Sequence, residues 1–213
     1  MADEIEKIKE ILGENLVTLA EYYTGDEKNI LAVCNTLDID TLRRLKQLKE
    51  IPLVLTKEEL TGGVDVFPIE FLNIKQHHKT LYGEDFLKDL AVSKKHLRHQ
   101  LEFEFRSKLL HLREEYLQFK GKDLENLILS AVPILAPITG GLIYLKDLHY
   151  GDLQDTFKTV SDGYGIDMHI LSEIYNIKHG KTKFNKDKEL YIKGLIRILH
   201  DMGKIVDEHE VIE

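Results

Sequence analysis

The chain has 213 residues, enough for one large or two small domains with a substantial core. Its 29 Lys and Arg against 37 Asp and Glu give a net charge of −8 without long single-sign blocks, which argues against a general nucleic-acid coat. A single cysteine, Cys34, excludes an intrachain disulfide, and the charged start MADEIEKIKE does not read as a signal peptide, so the expected location is the cytoplasm.

Asp3 and Glu6 have capping-box spacing, and Ile5, Ile8, Ile11 and Leu12 form a helical stripe that stops at Gly13. Two β-rich runs follow, Leu16 to Tyr23 and Asn29 to Asn35. The polar residues Thr24, Gly25, Asp26, Glu27 and Lys28 between them predict an antiparallel hairpin. Asp40 to Leu48 reads as a helix, with Leu42, Leu45 and Leu48 as its apolar positions and Arg43, Arg44, Lys46 and Lys49 between them. Pro52 to Leu55 reads as a short strand. Thr56 and Glu59 have the spacing of a capping box for a helical turn that ends at Gly62 and Gly63. Val66 to Leu72 is expected as the next strand, with Phe67, Ile69 and Phe71 on one face and Glu70 among apolar neighbours on the other. A carboxylate in such a strand sits at the rim in water, in an ion pair, or at a functional site.

From Ser93 the pattern becomes helical. Leu97, Leu101, Phe105, Leu109, Leu112, Tyr116 and Phe119 predict one long helix up to Gly121. Helices are expected over Asp123 to Leu135 with a continuation past Pro137, then Asp152 to Ser161, Asp167 to Asn176, and Asn185 to Glu208 with Asn185 as its cap. Asn126 to Leu145 carries no charge and has the length of a bilayer span. Pro133, Pro137, Gly140 and Gly141 interrupt it, so a buried, kinked helix pair is the expectation. The expected architecture is α+β: a small mixed-sheet domain over 1–85 and an antiparallel helical bundle over 86–213.

The segments VFPIEFLNIKQHHKTLYGED and HLRHQLEFEFRSKLLHLREEYL, with the order of elements before them, resemble the nucleotidyltransferase superfamily of polymerase beta and the aminoglycoside nucleotidyltransferases. They resemble most closely a bacterial group of nucleotidyltransferase-domain proteins. The resemblance implies a Gly-Ser turn after the first strand and an Asp-x-Asp or Asp-x-Glu pair on the second. It also implies a third carboxylate on a later strand and two divalent metals about 4 Å apart on the nucleotide phosphates. Here the first strand runs LVTLAEYYTGDEK, with no Gly-Ser. The paired positions fall on Glu27 and Asn29, and the third on Glu70; Asp26 offers a shifted register in which it pairs with Lys28. An amide is a poor ligand where hard cations need negative oxygens. Without the resemblance, Asp26 to Asn29 is a polar hairpin loop.

His77, His78, His96, His99 and His111 gather around the expected boundary, and His96 and His99 have helical spacing for a shared metal, but no third ligand completes a zinc pattern. Arg106 and His111 have the Arg-x4-His spacing of helical toxin RNases, yet five residues apart they project about 140° from one another on a helix, so joint action would need a dimer.

The expected function is that of a nucleotidyltransferase-like protein without catalysis, serving as scaffold, sensor or partner-binding module, with no cofactor. The first alternative is a divergent transferase of a small molecule or protein, using Glu27 and Glu70 with magnesium and a nucleoside triphosphate. The second is an RNase-type bundle using Arg106 and His111. The expected partners are a second copy of the chain or an unidentified protein, with neither nucleic acid nor membrane.

Overall fold

The structure is a computed structural model that describes residues 2–24, 27–149 and 151–209. The chain divides into two compact units, Met1–Val92 and Ser93–Glu213.

In the first unit, α1 (Ala2–Leu12) carries Asp3 and Glu4 in its first turn, where carboxylates favour the N-terminal end of the helix dipole. Lys7 closes on Asp3 at 2.5 Å and on Glu4 at 3.0 Å. The Glu4 carboxylate is buried and also accepts the Lys49 amide at 3.1 Å, so its burial is compensated. A short 3-10 turn over Gly13–Asn15 leads into β1 (Leu16–Thr24), which pairs antiparallel with β2 (Glu27–Cys34). Asn15 ties the far end of this hairpin, its Oδ1 accepting the Asn35 and Thr36 amides at 3.1 and 2.9 Å.

The next elements are α2 (Ile39–Leu45), capped by Asp38, β3 (Leu53–Thr56) and α3 (Lys57–Gly62). The expected capping box is present, with the Thr56 hydroxyl accepting the Glu59 amide at 3.1 Å and the Glu59 carboxylate accepting the Thr56 amide at 2.7 Å. Then come α4 (Pro68–His77) and β4 (His78–Gly83). Among the described residues the strands form one four-stranded sheet in the order β3-β2-β1-β4, antiparallel except for the parallel β2/β3 pair.

One face of the sheet is the core. Leu16, Leu19, Ile30, Ala32 and Cys34 pack with Ile8 and Leu12 of α1 and Leu45 of α2. An irregularity between Leu16 and Thr18 lets two residues at odd spacing share that face. On the opposite face Ala20, Leu31 and Val33 are fully buried, and α4 packs against β1.

The strand expected over Val66 to Leu72 is a helix. Pro68 opens α4 at a position where its missing amide costs nothing, and Pro68, Ile69, Phe71, Leu72, Asn73 and Ile74 are all buried. An apolar run of this length reads the same for a buried helix turn as for a strand. Glu70 therefore lies in the first turn of a helix, exposed, and the strand that pairs with β1 is the following HKTLYG.

The second unit is helical. It comprises α5 (Lys94–Gln118), capped by Ser93, α6 (Gly121–Leu145), α7 (Leu153–Tyr164), capped by Asp152, α8 (His169–Lys178) and α9 (Glu189–Glu208). The buried residues Leu97, Leu101, Phe105 and Leu112 of α5 pack on α6 and α9. The expected helix pair is one uninterrupted helix, α6, with Pro133 and Pro137 inside it. Each interior proline costs about 3 kcal/mol, and burial of Ile128, Val132, Leu135, Ile138, Leu142 and Ile143 offsets that loss. By length and composition α6 is the one described helix able to cross a membrane, and 56% of its most apolar window is buried inside the protein. At α9 the expected cap is displaced. Asn185 accepts the Asp187 amide at 3.0 Å, Asp187 accepts the Glu189 amide at 3.1 Å, and the helix starts four residues later than its pattern suggested.

Candidate functional site

Side chains paired across strands share a face, so the register locates the two positions on β2. Thr24 stands opposite Glu27, Tyr22 opposite Asn29, and Tyr22 opposite His78 on its other side. Glu27 and Asn29 thus project from one face, as their spacing predicts, next to Tyr22, Thr24 and the start of β4. Glu27 is exposed and Asn29 half-buried, and the Asn29 Nδ2 donates to the Glu27 carbonyl at 3.2 Å. Burial raises the Tyr22 phenol above its usual range. Lys28 points to the other face and pairs with Glu21. Asp26, the shifted alternative, and Gly25 lie outside the described residues.

A recess of about 390 Å³ opens beside this row, lined by Tyr22, Lys28, Asn29, Ile30, Glu50, Ile51 and Leu53. Glu50 is the member that sequence reading missed. It reaches the recess because β3 runs parallel to β2 with Leu31 opposite Leu53, a long-range pairing that no local pattern announces. Glu70 is not among the lining residues of this recess. Among the described residues, no group of three or more His, Cys, Asp and Glu side chains is placed to hold a metal ion.

The start of β4 is fastened from two sides. The Nδ2 of buried Asn73 donates to the Tyr23 carbonyl at 2.9 Å, joining α4 to the end of β1. The His78 ring is almost fully buried; its Nδ1 lies 3.0 Å from the Ile74 and Lys75 carbonyls and its Nε2 2.9 Å from Asp85 Oδ1. Burial holds the neighbouring His77 imidazole below its usual range. For Asp85, burial raises the carboxyl, but hydrogen bonds from His78 and the Lys88 amide outweigh it and hold it below the usual carboxylate range. A depressed folded-state pKa adds stability above the unfolded value that is lost as pH falls through the folded one. The acid limb of the unfolding midpoint, followed by circular dichroism below about pH 4, is therefore expected to be shallower in Asp85→Asn than in the parent. Identical limbs would show that this contact contributes nothing.

The residues of the RNase alternative face different surroundings. Arg106 bonds Glu102 at 3.0 Å and Asp207 at 3.1 Å and borders a recess with His200 and Lys204. His111 borders another cavity, between α5, α6 and α9. His96 and His99 are both exposed, and His99 Nδ1 accepts from Arg98 at 3.1 Å.

The four-stranded mixed sheet followed by a run of helices is an α+β arrangement. Among solved structures the chain is similar to spectinomycin adenyltransferase AAD(9) from Enterococcus faecialis, determined with ATP and spectinomycin. The TM-score is 0.55 at 12% identity, covering 93% of this chain and 98% of the other. At that identity the likeness is one of fold. No family model and no curated protein sequence matches the chain.

Proposed function

We propose that this protein is a nucleotidyltransferase-like scaffold, sensor or partner-binding module that does not transfer nucleotides. The observation that carries the reading is the register of the hairpin. With Thr24 opposite Glu27, only two residues join β1 to β2. That length does not accommodate a phosphate-binding Gly-Ser turn with further chain before the second strand. The two positions that the resemblance assigns to a metal-binding pair hold one carboxylate, Glu27, and one amide, Asn29, at the start of β2, while Glu70 is on a helix. This donor set does not fit two magnesium ions, which need several anionic oxygens between them. What remains is a sheet end with a polar recess, suited to weak contacts with a ligand or protein, in a cytoplasmic protein that acts as a homodimer or with an unidentified partner.

Calorimetric titration of ATP, CTP, GTP and UTP into the protein, with and without magnesium, tests the proposal. The expected result is no magnesium-dependent heat with any of the four. Saturable binding that requires magnesium and disappears in Glu27→Gln would overturn the reading in favour of the transferase alternative.

A further inference from the structure

The cavity that His111 borders lies within the helical unit. Its floor is formed by Leu112 of α5, Leu135 of α6, and Leu195 and Leu199 of α9, all of them buried. The space exists because α6 presents two small residues there, Ser130 and Ala131, and the Ser130 hydroxyl is turned back onto the Leu127 carbonyl at 2.7 Å. The volume is about 140 Å³, close to the roughly 150 Å³ at which an apolar cavity takes up benzene.

The mouth differs in chemistry from the floor. His111 and Glu115 stand one helical turn apart on α5, both exposed at the rim. Lys108, also at the rim, is held by Glu104 at 2.9 Å, so its charge is already matched. The charge left at the mouth is the Glu115 carboxylate, an acceptor that repels anions and receives donors. A leucine-rich floor of one-ring size under such a rim selects an apolar body carrying one donor.

We propose that this cavity binds single-ring aromatic molecules bearing a hydroxyl or amine, with the ring on the leucine floor and the donor directed to Glu115 and His111. The reading is independent of whether the sheet unit binds nucleotide. It also gives His111 a role that needs no cooperation with Arg106.

The test is a titration of phenol, benzylamine and benzoate into the full chain, followed by the imidazole resonances in NMR. Phenol and benzylamine are expected to shift the His111 signals saturably, and benzoate is not. Ala131→Leu fills the cavity and is expected to weaken phenol binding by about tenfold or more, with the helical circular dichroism retained. If that variant does not fold, Glu115→Gln leaves the cavity open and is expected to remove the preference for benzylamine over benzoate while phenol still binds. The proposal is overturned if phenol gives no saturable shift, if benzoate binds as well as benzylamine to the parent, or if folded Ala131→Leu binds phenol unchanged.

Discussion

Replacing Gly83 by alanine is expected to destabilise the sheet unit by about 3 kcal/mol, combining left-handed backbone strain with overpacking. Gly83 ends β4 at φ +77°, where a β-carbon is disfavoured before any contact is considered. It also pairs with Thr18, and an added Cβ would stand 2.0 Å from the Val17 carbonyl oxygen. Backbone cannot yield as a flexible side chain does, so β4 would have to leave β1 locally. For a unit of this size the loss corresponds to a fall of more than about 10 °C in the unfolding midpoint, measured by far-ultraviolet circular dichroism. Gly62→Ala is the control, since a Cβ there meets nothing within 4 Å. Equal midpoints for the two variants would refute the account of β4 as tightly seated.

In the helical unit, the largest expected effect is that of Phe105→Ala, a loss of about 3–5 kcal/mol. Phe105 is 1% exposed in the contact between α5 and α9. Gly203 of α9 approaches it so closely that a Cβ there would lie 3.6 Å from the Phe105 Cβ. Two helices held together at this distance have little room to collapse into the space a benzyl group leaves. Phe103, two residues earlier on the same helix, is 67% exposed, and its replacement by alanine is expected to cost within about 0.5 kcal/mol. Denaturant titration of the pair measures the contrast; similar losses would mean that α5 is buried on a different face.

Where local chemistry decided the structure, it was legible. The Thr56 and Glu59 capping box, the helix starts at Ser93 and Asp152 and the stripe of α5 stand where their patterns indicate. The hairpin of β1 and β2 forms as expected, but pairing carries the strands on to Thr24 and Glu27, so that Thr24, Glu27 and Lys28, expected in the loop, belong to the strands. The misreading of PIEFLNI had a different origin. A helix buried almost all round has no amphipathic period, and only Pro68 marked its start. The strand that followed, HKTLYG, is poor in β-branched residues and is held as a strand by pairing with β1. At the candidate site, the common face of Glu27 and Asn29 followed from alternation alone. Glu50 and the His78–Asp85 contact did not, since each depends on chain segments folding back over one another. The separation of Arg106 from His111 was legible in their spacing.

The position of β1 between β2 and β4 also sets an order of assembly. Pairing β1 with β2 brings together positions separated by two residues, whereas bringing His78 opposite Tyr22 closes a loop of roughly 55 residues, an entropic difference of about 3 kcal/mol. The hairpin carrying Glu27 and Asn29 is thus the early-forming piece of the sheet, and the row through Tyr22 to His78 closes late. Until β4 docks, the outer edge of β1 is an unpaired strand, open to any extended segment that reaches it first.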